Sequence, residues 1–502
     1  MRDHILVIDE GTTGTRAIVF DRAFRAVARS YQGLTLHTQP PDRIEQDFEE
    51  IYEKSLMACR SAMKEAGLGA EDILCIGVAN QRNTVGLWNR NTGRPIRRGV
   101  VWKDTRTSGL LERELRRGYA ANGPLRCGRQ FVTSTATVLL QWLMENEPET
   151  RAGLLSGDIA YGTVDAWLVW MLTRADTHAT SYSNASSLTV YDNIDDGWCT
   201  PIFEAAGVPM HILPKVRPEA FEYGATTAFG APIPITGVVG DQQASLFAHG
   251  CHEAGDVKCT NGTGTFMDIN IGPGYAAPDI GLATMVAWEI AGKRSYLLEG
   301  MLPGTGSTVQ WLRDGAGMIE SEADAHEVAA SVADSGGVYF VVTLSGAFVP
   351  RYDPYARGAI FGISHDTTKA HVVRATLEGI AFGVADIMDI IESRTGLRIR
   401  DIRIDGGASR NDLLAQSFAD FTRCDVPRAA DSDITTALGA AQIAAIGAGA
   451  ETLGSLSRAQ SYDRVFRPAI SEKERARRLA CYRKAVERSS EWLKEESCVR
   501  ER

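Results

Sequence analysis

The strongest constraint on this chain is a pattern that occurs twice, half a chain apart: an apolar strand, a short turn built from glycine and threonine, and a second apolar strand. The first copy runs from Ile5–Asp9 through Gly11–Gly14 to Ala17–Phe20. The second runs from Asp256–Cys259 through Thr260-Asn261-Gly262-Thr263-Gly264-Thr265 to Phe266–Ile271. Repetition at that period predicts two related domains that face each other across a ligand cleft. With 502 residues the chain is also too long for one hydrophobic core. The expected domains are Met1–Ala248 and His249–Arg502, joined near Gly250 and Gly255. Strand-like and helix-like stretches alternate throughout, so the fold class is α/β. Ser471–Lys494 carries apolar residues at helical spacing and predicts a terminal helix.

Composition removes several function classes. Hydrophobic residues make up 44% and charged residues 23%, the balance of an ordinary globular protein, and no apolar run approaches the length of a membrane span. Met1–Ile8 shows no basic segment followed by an apolar stretch, so the expectation is a cytoplasmic protein. Nine scattered cysteines, without a Cys-x-x-Cys pair, fit neither a disulfide framework nor a zinc site and predict buried thiols. A net charge of −10 disfavours a nucleic-acid partner, which needs a basic face. A homo-oligomer, dimer or tetramer, is compatible with the sequence.

The two turns suggest phosphate chemistry, because glycine and threonine in a tight turn offer N–H groups and hydroxyls without steric obstruction. Asp9 ends the first strand, where a carboxylate can hold a hydrated magnesium ion near the β and γ phosphates. Arg16 follows the turn and offers a planar fork of donors. A third element, Ile402–Asp405 followed by Gly406-Gly407-Ala408-Ser409-Arg410-Asn411 and a helical pattern, lets an adenine or ribose lie against backbone, with Asn411 as donor and acceptor. Gly304-Thr305-Gly306-Ser307 again places small residues before a helix. The competing designs are missing: there is no Gly-x-x-x-x-Gly-Lys-Ser/Thr, no complete Gly-x-Gly-x-x-Gly after a strand, no Gly-x-Ser-x-Gly and no His-Glu-x-x-His.

Taken together, Asp9-Glu10-Gly11-Thr12-Thr13, Asn80-Gln81-Arg82, Val101-Trp102, Gly162-Thr163-Val164-Asp165, Gly240-Asp241-Gln242-Gln243, Gly262-Thr263-Gly264, Gln310-Trp311-Leu312-Arg313 and Asp405-Gly406-Gly407 resemble the FGGY carbohydrate kinases, and among them the glycerol kinases. Gly358-Ala359-Ile360-Phe361-Gly362 through Glu378-Gly379 is similar to that family's C-terminal signature. The resemblance spans Ile5 to about Ala445. It implies a duplicated actin-like (ribonuclease H-like) ATPase fold, ATP with Mg2+ as cofactors, and direct phosphoryl transfer to a small polyol or sugar, with Asp241 as the general base. It further implies that Thr12, Thr13, Gly14, Arg16, Thr263, Gly306, Gln310, Gly407 and Asn411 meet the nucleotide. Arg82, Asn83, Trp102, Ser134, Asp241, Gln242 and Phe266 are implied to meet the acceptor.

Three positions depart from the family pattern. Gly14 stands where many relatives carry serine. Asn83 stands where glycerol kinases have glutamate, and Ser134 where they have tyrosine. The last two changes predict a larger acceptor pocket with altered hydrogen-bond demand, and so favour a four- or five-carbon polyol or ketose beside glycerol itself. A non-catalytic, actin-like ATP-binding protein is the third reading, against which Asp241 speaks.

Overall fold

The computed structural model describes residues 2–119, 121–278, 281–347, 349, 353, 355–456 and 461–493. Ile5, Leu6, Val7 and Ile8 are all buried, as a continuous apolar run must be when a strand is covered on both faces. They lie on β1 (His4–Glu10), inside a six-stranded sheet completed by β2 (Gly14–Phe20), β3 (Ala26–Gly33), β4 (Ile73–Asn80), β5 (Ala220–Thr226) and β6 (Ile233–Gly240). The spatial order is β5-β6-β4-β1-β2-β3. From β3 inward, the steps are antiparallel, antiparallel, parallel, parallel and antiparallel.

The C-terminal half repeats this plan. Its seven strands are β7 (Val257–Asn261), β8 (Thr265–Gly272), β9 (Leu282–Ile290), β10 (Lys293–Leu302), β11 (Arg403–Asp405), β12 (Val426–Ala429) and β13 (Tyr462–Phe466), in the order β9-β10-β8-β7-β11-β12-β13. From β10 the same sequence of steps recurs, with β9 added outside. The duplication glimpsed in two short turns therefore extends to whole sheets.

Eight helices matter for the site: α1 (Phe48–Glu65), α2 (Tyr182–Ser187), α3 (Asp241–Ala248), α4 (Gly306–Asp314), α5 (Lys369–Thr395), α6 (Asp412–Thr422), α7 (Thr435–Gly447) and α8 (Glu472–Ser489). α1 starts where Asp47 accepts from the Glu49 and Glu50 amides, and it buries Ile51, Ser55, Ala58 and Ala62 at helical spacing. α7 belongs to the C-terminal half by sequence, yet its alanines share one core with Ile5, Val7 and Val239 of the first sheet. Thr236 Oγ1 donates to its Ala444 carbonyl at 2.7 Å. Fully buried Glu219 ties the halves again, accepting from the Ser183 amide of α2 at 2.7 Å and the Glu289 amide of β9 at 2.6 Å.

The expected terminal helix forms as α8, capped by Ser471, whose hydroxyl accepts from the Glu474 amide. It docks on α5: Tyr482 stacks 4.8 Å from Phe382, Arg478 pairs with Glu378, and Arg483 Nε donates to Asp386 at 2.7 Å. Lys494 and Cys498 lie outside the described residues. The described cysteines are buried except Cys481. Among the described residues no helix is long and apolar enough to cross a membrane.

Candidate active site

Each repeated hairpin ends in a tip closed by a glycine N–H. Gly11 donates to the Gly14 carbonyl and Gly262 to the Gly264 carbonyl, both at 3.0 Å. The first tip is clamped from its own half. Gln46 Nε2 donates to the Thr12 carbonyl (2.8 Å), Gln81 Nε2 to Gln46 Oε1 (2.8 Å), and Trp102 Nε1 to Thr12 Oγ1 (3.1 Å). The serine-to-glycine departure at Gly14 has a visible counterpart: Tyr31 crosses the hairpin there, and a Cβ on residue 14 would stand 2.3 Å from its hydroxyl. That hydroxyl donates to the Thr13 carbonyl at 3.0 Å.

The second tip is wedged between two glycines. A Cβ on Gly306, the first residue of α4, would fall 2.6 Å from the Gly262 carbonyl oxygen. One on Gly406 would fall 2.5 Å from the Asn261 carbonyl oxygen. The Gly306 and Ser307 amides, at the start of α4, donate at 3.0 Å to the Gly262 and Thr263 carbonyls. Asp405, preceding the glycine pair, turns inward and accepts from Ser245 of α3 at 2.7 Å.

Thr263, Gly306, Gln310, Gly407 and Asn411 converge on one cavity of about 450 Å³, large enough for an adenosine. Thr12, Thr13, Gly14 and Arg16 sit on the other tip, outside its wall. Arg16 bridges the two sides: it lies 3.5 Å from Asp9 and donates to the Asp433 carbonyl, while the Asp433 carboxylate holds Arg410 of the cavity wall at 2.6 Å. One sequence expectation is corrected. The sequence offers Asn411 as a donor and acceptor pair, but its Oδ1 caps α6 by accepting from the Leu413 and Leu414 amides, which leaves only the amide N–H groups for a ligand.

On the acceptor side, Asp241 is the first residue of α3, delivered there by β6. Its Oδ1 accepts from the Gln242 amide at 2.8 Å and faces Arg82 Nε at 3.4 Å. Oδ2 has no protein hydrogen bond among the described residues. Burial raises its pKa against the pull of Arg82. Burial likewise pushes Asp9 up to about 6, opposed by Arg16. Arg82 reaches across the cleft to Glu299 of β10 at 2.5 Å. Although burial opposes it, Arg82 holds that carboxylate below its usual range. Asn83 adopts φ +61, and its Oδ1 is buried without a hydrogen-bond partner among the described residues. Trp102, Ser134 and Phe266 are half-buried, and Lys103 Nζ lies 4.9 Å above the Trp102 ring.

Sequence reasoning missed a row of charge beneath this pocket. In register across β7, β8 and β10 stand Lys258, Asp268 and Glu299. A charged side chain inside an apolar strand was the available signal, as in Val257-Lys258-Cys259.

The sequence model of the FGGY carbohydrate kinases, N-terminal domain, matches residues 4–248, and that of the C-terminal domain matches residues 257–448. The glycerol kinase of Dechloromonas aromatica is 40% identical over 491 residues, covering 97% of this chain and 98% of its own. That of Thermus brockianus is 39% identical over 494 residues, covering 98% and 99%. Among solved structures, Plasmodium falciparum glycerol kinase with ADP superposes with a TM-score of 0.88 at 30% identity, covering 97% of this chain and 98% of that one. A xylulose kinase from Lactobacillus acidophilus shares the fold, with a TM-score of 0.83 at 18% identity over 97% and 96%. Two matched domains, relatives of full length and a shared actin-like architecture place the chain in the FGGY family of carbohydrate kinases, ATP-dependent enzymes that phosphorylate sugars and polyols.

Proposed function

We propose that the chain transfers the γ-phosphoryl group of ATP to a hydroxyl of glycerol, with Asp241 as general base. The observation that carries this reading is the state of the Asp241 carboxylate: one oxygen is fixed by the Gln242 amide, the other is free to take a proton from an attacking hydroxyl. ATP lies with its adenosine in the cavity beside Gly306, Gln310, Gly407 and Asn411, and its phosphates between the tips at Thr12, Thr13 and Thr263. Gly14 shapes the first tip under Tyr31, and Arg16 meets phosphate charge once released from Asp433. The acceptor lies against Trp102 and Phe266, its hydroxyls met by Arg82, Asn83, Gln242 and Asp241, with Ser134 at the wall.

Magnesium suits the Asp9 carboxylate. No cluster of three or more metal-ligating side chains is present among the described residues, and a single strand-end carboxylate fits an ion that keeps most of its waters and phosphate oxygens. Bound with ATP, the ion would neutralise charge on the β and γ oxygens. Arg82 orients the acceptor, and Asp241 removes its proton as the oxygen attacks in line, so no covalent enzyme intermediate is required.

The larger-acceptor reading drawn from Asn83 and Ser134 is not favoured by the relatives, which are named as glycerol kinases. A coupled ADP-release screen over three- to six-carbon polyols and ketoses tests the choice. Glycerol is expected to give the highest kcat/KM; a clearly higher value for a longer acceptor would overturn it.

A further inference from the structure

Lys258 is fully buried, and its ammonium sits behind the acceptor pocket. Nζ donates to Gln242 Oε1 at 2.5 Å and to Thr260 Oγ1 at 3.0 Å, and it forms an ion pair with Asp268 Oδ2 at 2.7 Å. An ammonium has three donors and no acceptor, so only the oxygen of the Gln242 amide can face it. The orientation of that amide is therefore chemically fixed: its NH2 group is turned away from Lys258. Asp268, fully buried and directly opposite Lys258 in the β7–β8 register, balances the charge that this arrangement brings into the protein. Thr260 begins the second phosphate tip, so the same ammonium joins the acceptor amide to the strand that carries the tip.

We propose that Lys258 is a positioning residue that locks Gln242 as a hydrogen-bond donor, so that the acceptor must present an oxygen lone pair to it. This rests on the placement of Gln242 beside the acceptor given above. The consequence is selectivity: an analogue lacking the oxygen that meets Gln242 leaves a buried N–H unpaired and is rejected.

The test compares Gln242→Glu with the double variant Lys258→Met/Asp268→Leu, which removes both buried charges together and avoids stranding one. Steady-state kinetics are measured with glycerol, 1,2-propanediol, 1,3-propanediol and ATP. In both variants the KM for glycerol should rise about tenfold, the equivalent of one hydrogen bond, while the KM for ATP stays within twofold. Discrimination against one of the two diols should fall about tenfold. Equal rises in both KM values, or unchanged diol discrimination in the folded double variant, would overturn the inference. Should the apolar pair not fold, Lys258→Met/Asp268→Asn, which removes the ammonium and the carboxylate but keeps a polar group at 268, decides on the same readouts: lost diol discrimination with native ATP KM supports the inference, and unchanged discrimination overturns it. Gln242→Glu, whose carboxylate keeps the lysine contact but offers no N–H, checks the underlying contact, and an unchanged glycerol KM there overturns the inference as well. An enzyme that phosphorylates no polyol fails the underlying reading; one that phosphorylates glycerol with both variants unaltered fails this inference alone.

Discussion

Replacing Gly406 by alanine, and separately its neighbour Gly407, asks the same motif two different questions. Gly406 holds φ +86 and ψ 162, a region that only glycine occupies readily, at a cost of about 1–3 kcal/mol for other residues. A Cβ there would also stand 2.5, 2.7 and 2.9 Å from the oxygen, carbon and nitrogen of the Asn261 backbone. Because neither backbone can swing aside, overpacking adds about 1–3 kcal/mol. Gly407 lies outside the left-handed region, and its Cβ would meet nothing within 4 Å. Alanine there should leave stability within about 1 kcal/mol. The expected gap between the variants is therefore about 2–6 kcal/mol, the sum of the strain and overpacking costs. The collision falls on the second phosphate tip, so any folded Gly406→Ala should also lose turnover, by about a hundredfold for a displacement near 1 Å. Urea unfolding midpoints measure the first effect and steady-state turnover the second, and calorimetric ADP titration reads the accompanying change at the tip. A Gly406→Ala protein with the midpoint and ADP affinity of Gly407→Ala would refute the wedge reasoning.

Asn83→Gly keeps the positive φ that residue 83 requires and removes an amide oxygen with no protein partner. It should therefore leave the melting temperature nearly unchanged while raising the KM for the acceptor about tenfold. For activity against pH, Asp9 is needed ionised but is pushed up to about 6 by burial. Hence kcat/KM should fall as pH drops through 6, and higher Mg2+ should move that limb to lower pH by competing with the proton; a limb that ignores Mg2+ would remove Asp9 from the metal. The Arg82–Glu299 pair already spans the halves at 2.5 Å. ATP with acceptor should draw the cleft further closed, and small-angle scattering that shows no compaction with both ligands would count against closure.

Parts of this site were legible in the sequence because their signals are local. A glycine and threonine tip between apolar runs, or a strand, double glycine and helix, carries its geometry within ten residues, and both tips and the Gly406 turn form where expected. Ser471 and the apolar spacing after it announced α8, though nothing local told that its surface is matched to Glu378, Phe382 and Asp386 of α5. What stayed hidden depends on pairing between distant segments. Lys258, Asp268 and Glu299 look like isolated charges in apolar strands until β7, β8 and β10 are in register. Gln46 reaches the first tip from the strand Arg43–Gln46, which belongs to a separate five-stranded sheet. That the oxygen of Asn411 caps α6 is not legible in the sequence, because a helix cap and a binding residue use the same atom. α7 crosses to the opposite half, which periodicity cannot foretell.

The central claim, direct phosphoryl transfer from ATP to a polyol with Asp241 as base, is tested most directly by following 31P signals with ATP, Mg2+ and glycerol for the native protein and for Asp241→Asn. The native protein should form one phosphomonoester per ADP with no accumulation of inorganic phosphate. Asp241→Asn should form neither product at more than about a thousandth of that rate, in line with the loss of a general base, while still binding ATP within a few-fold. Near-native turnover by Asp241→Asn, or ATP cleavage to inorganic phosphate regardless of glycerol, would contradict the account.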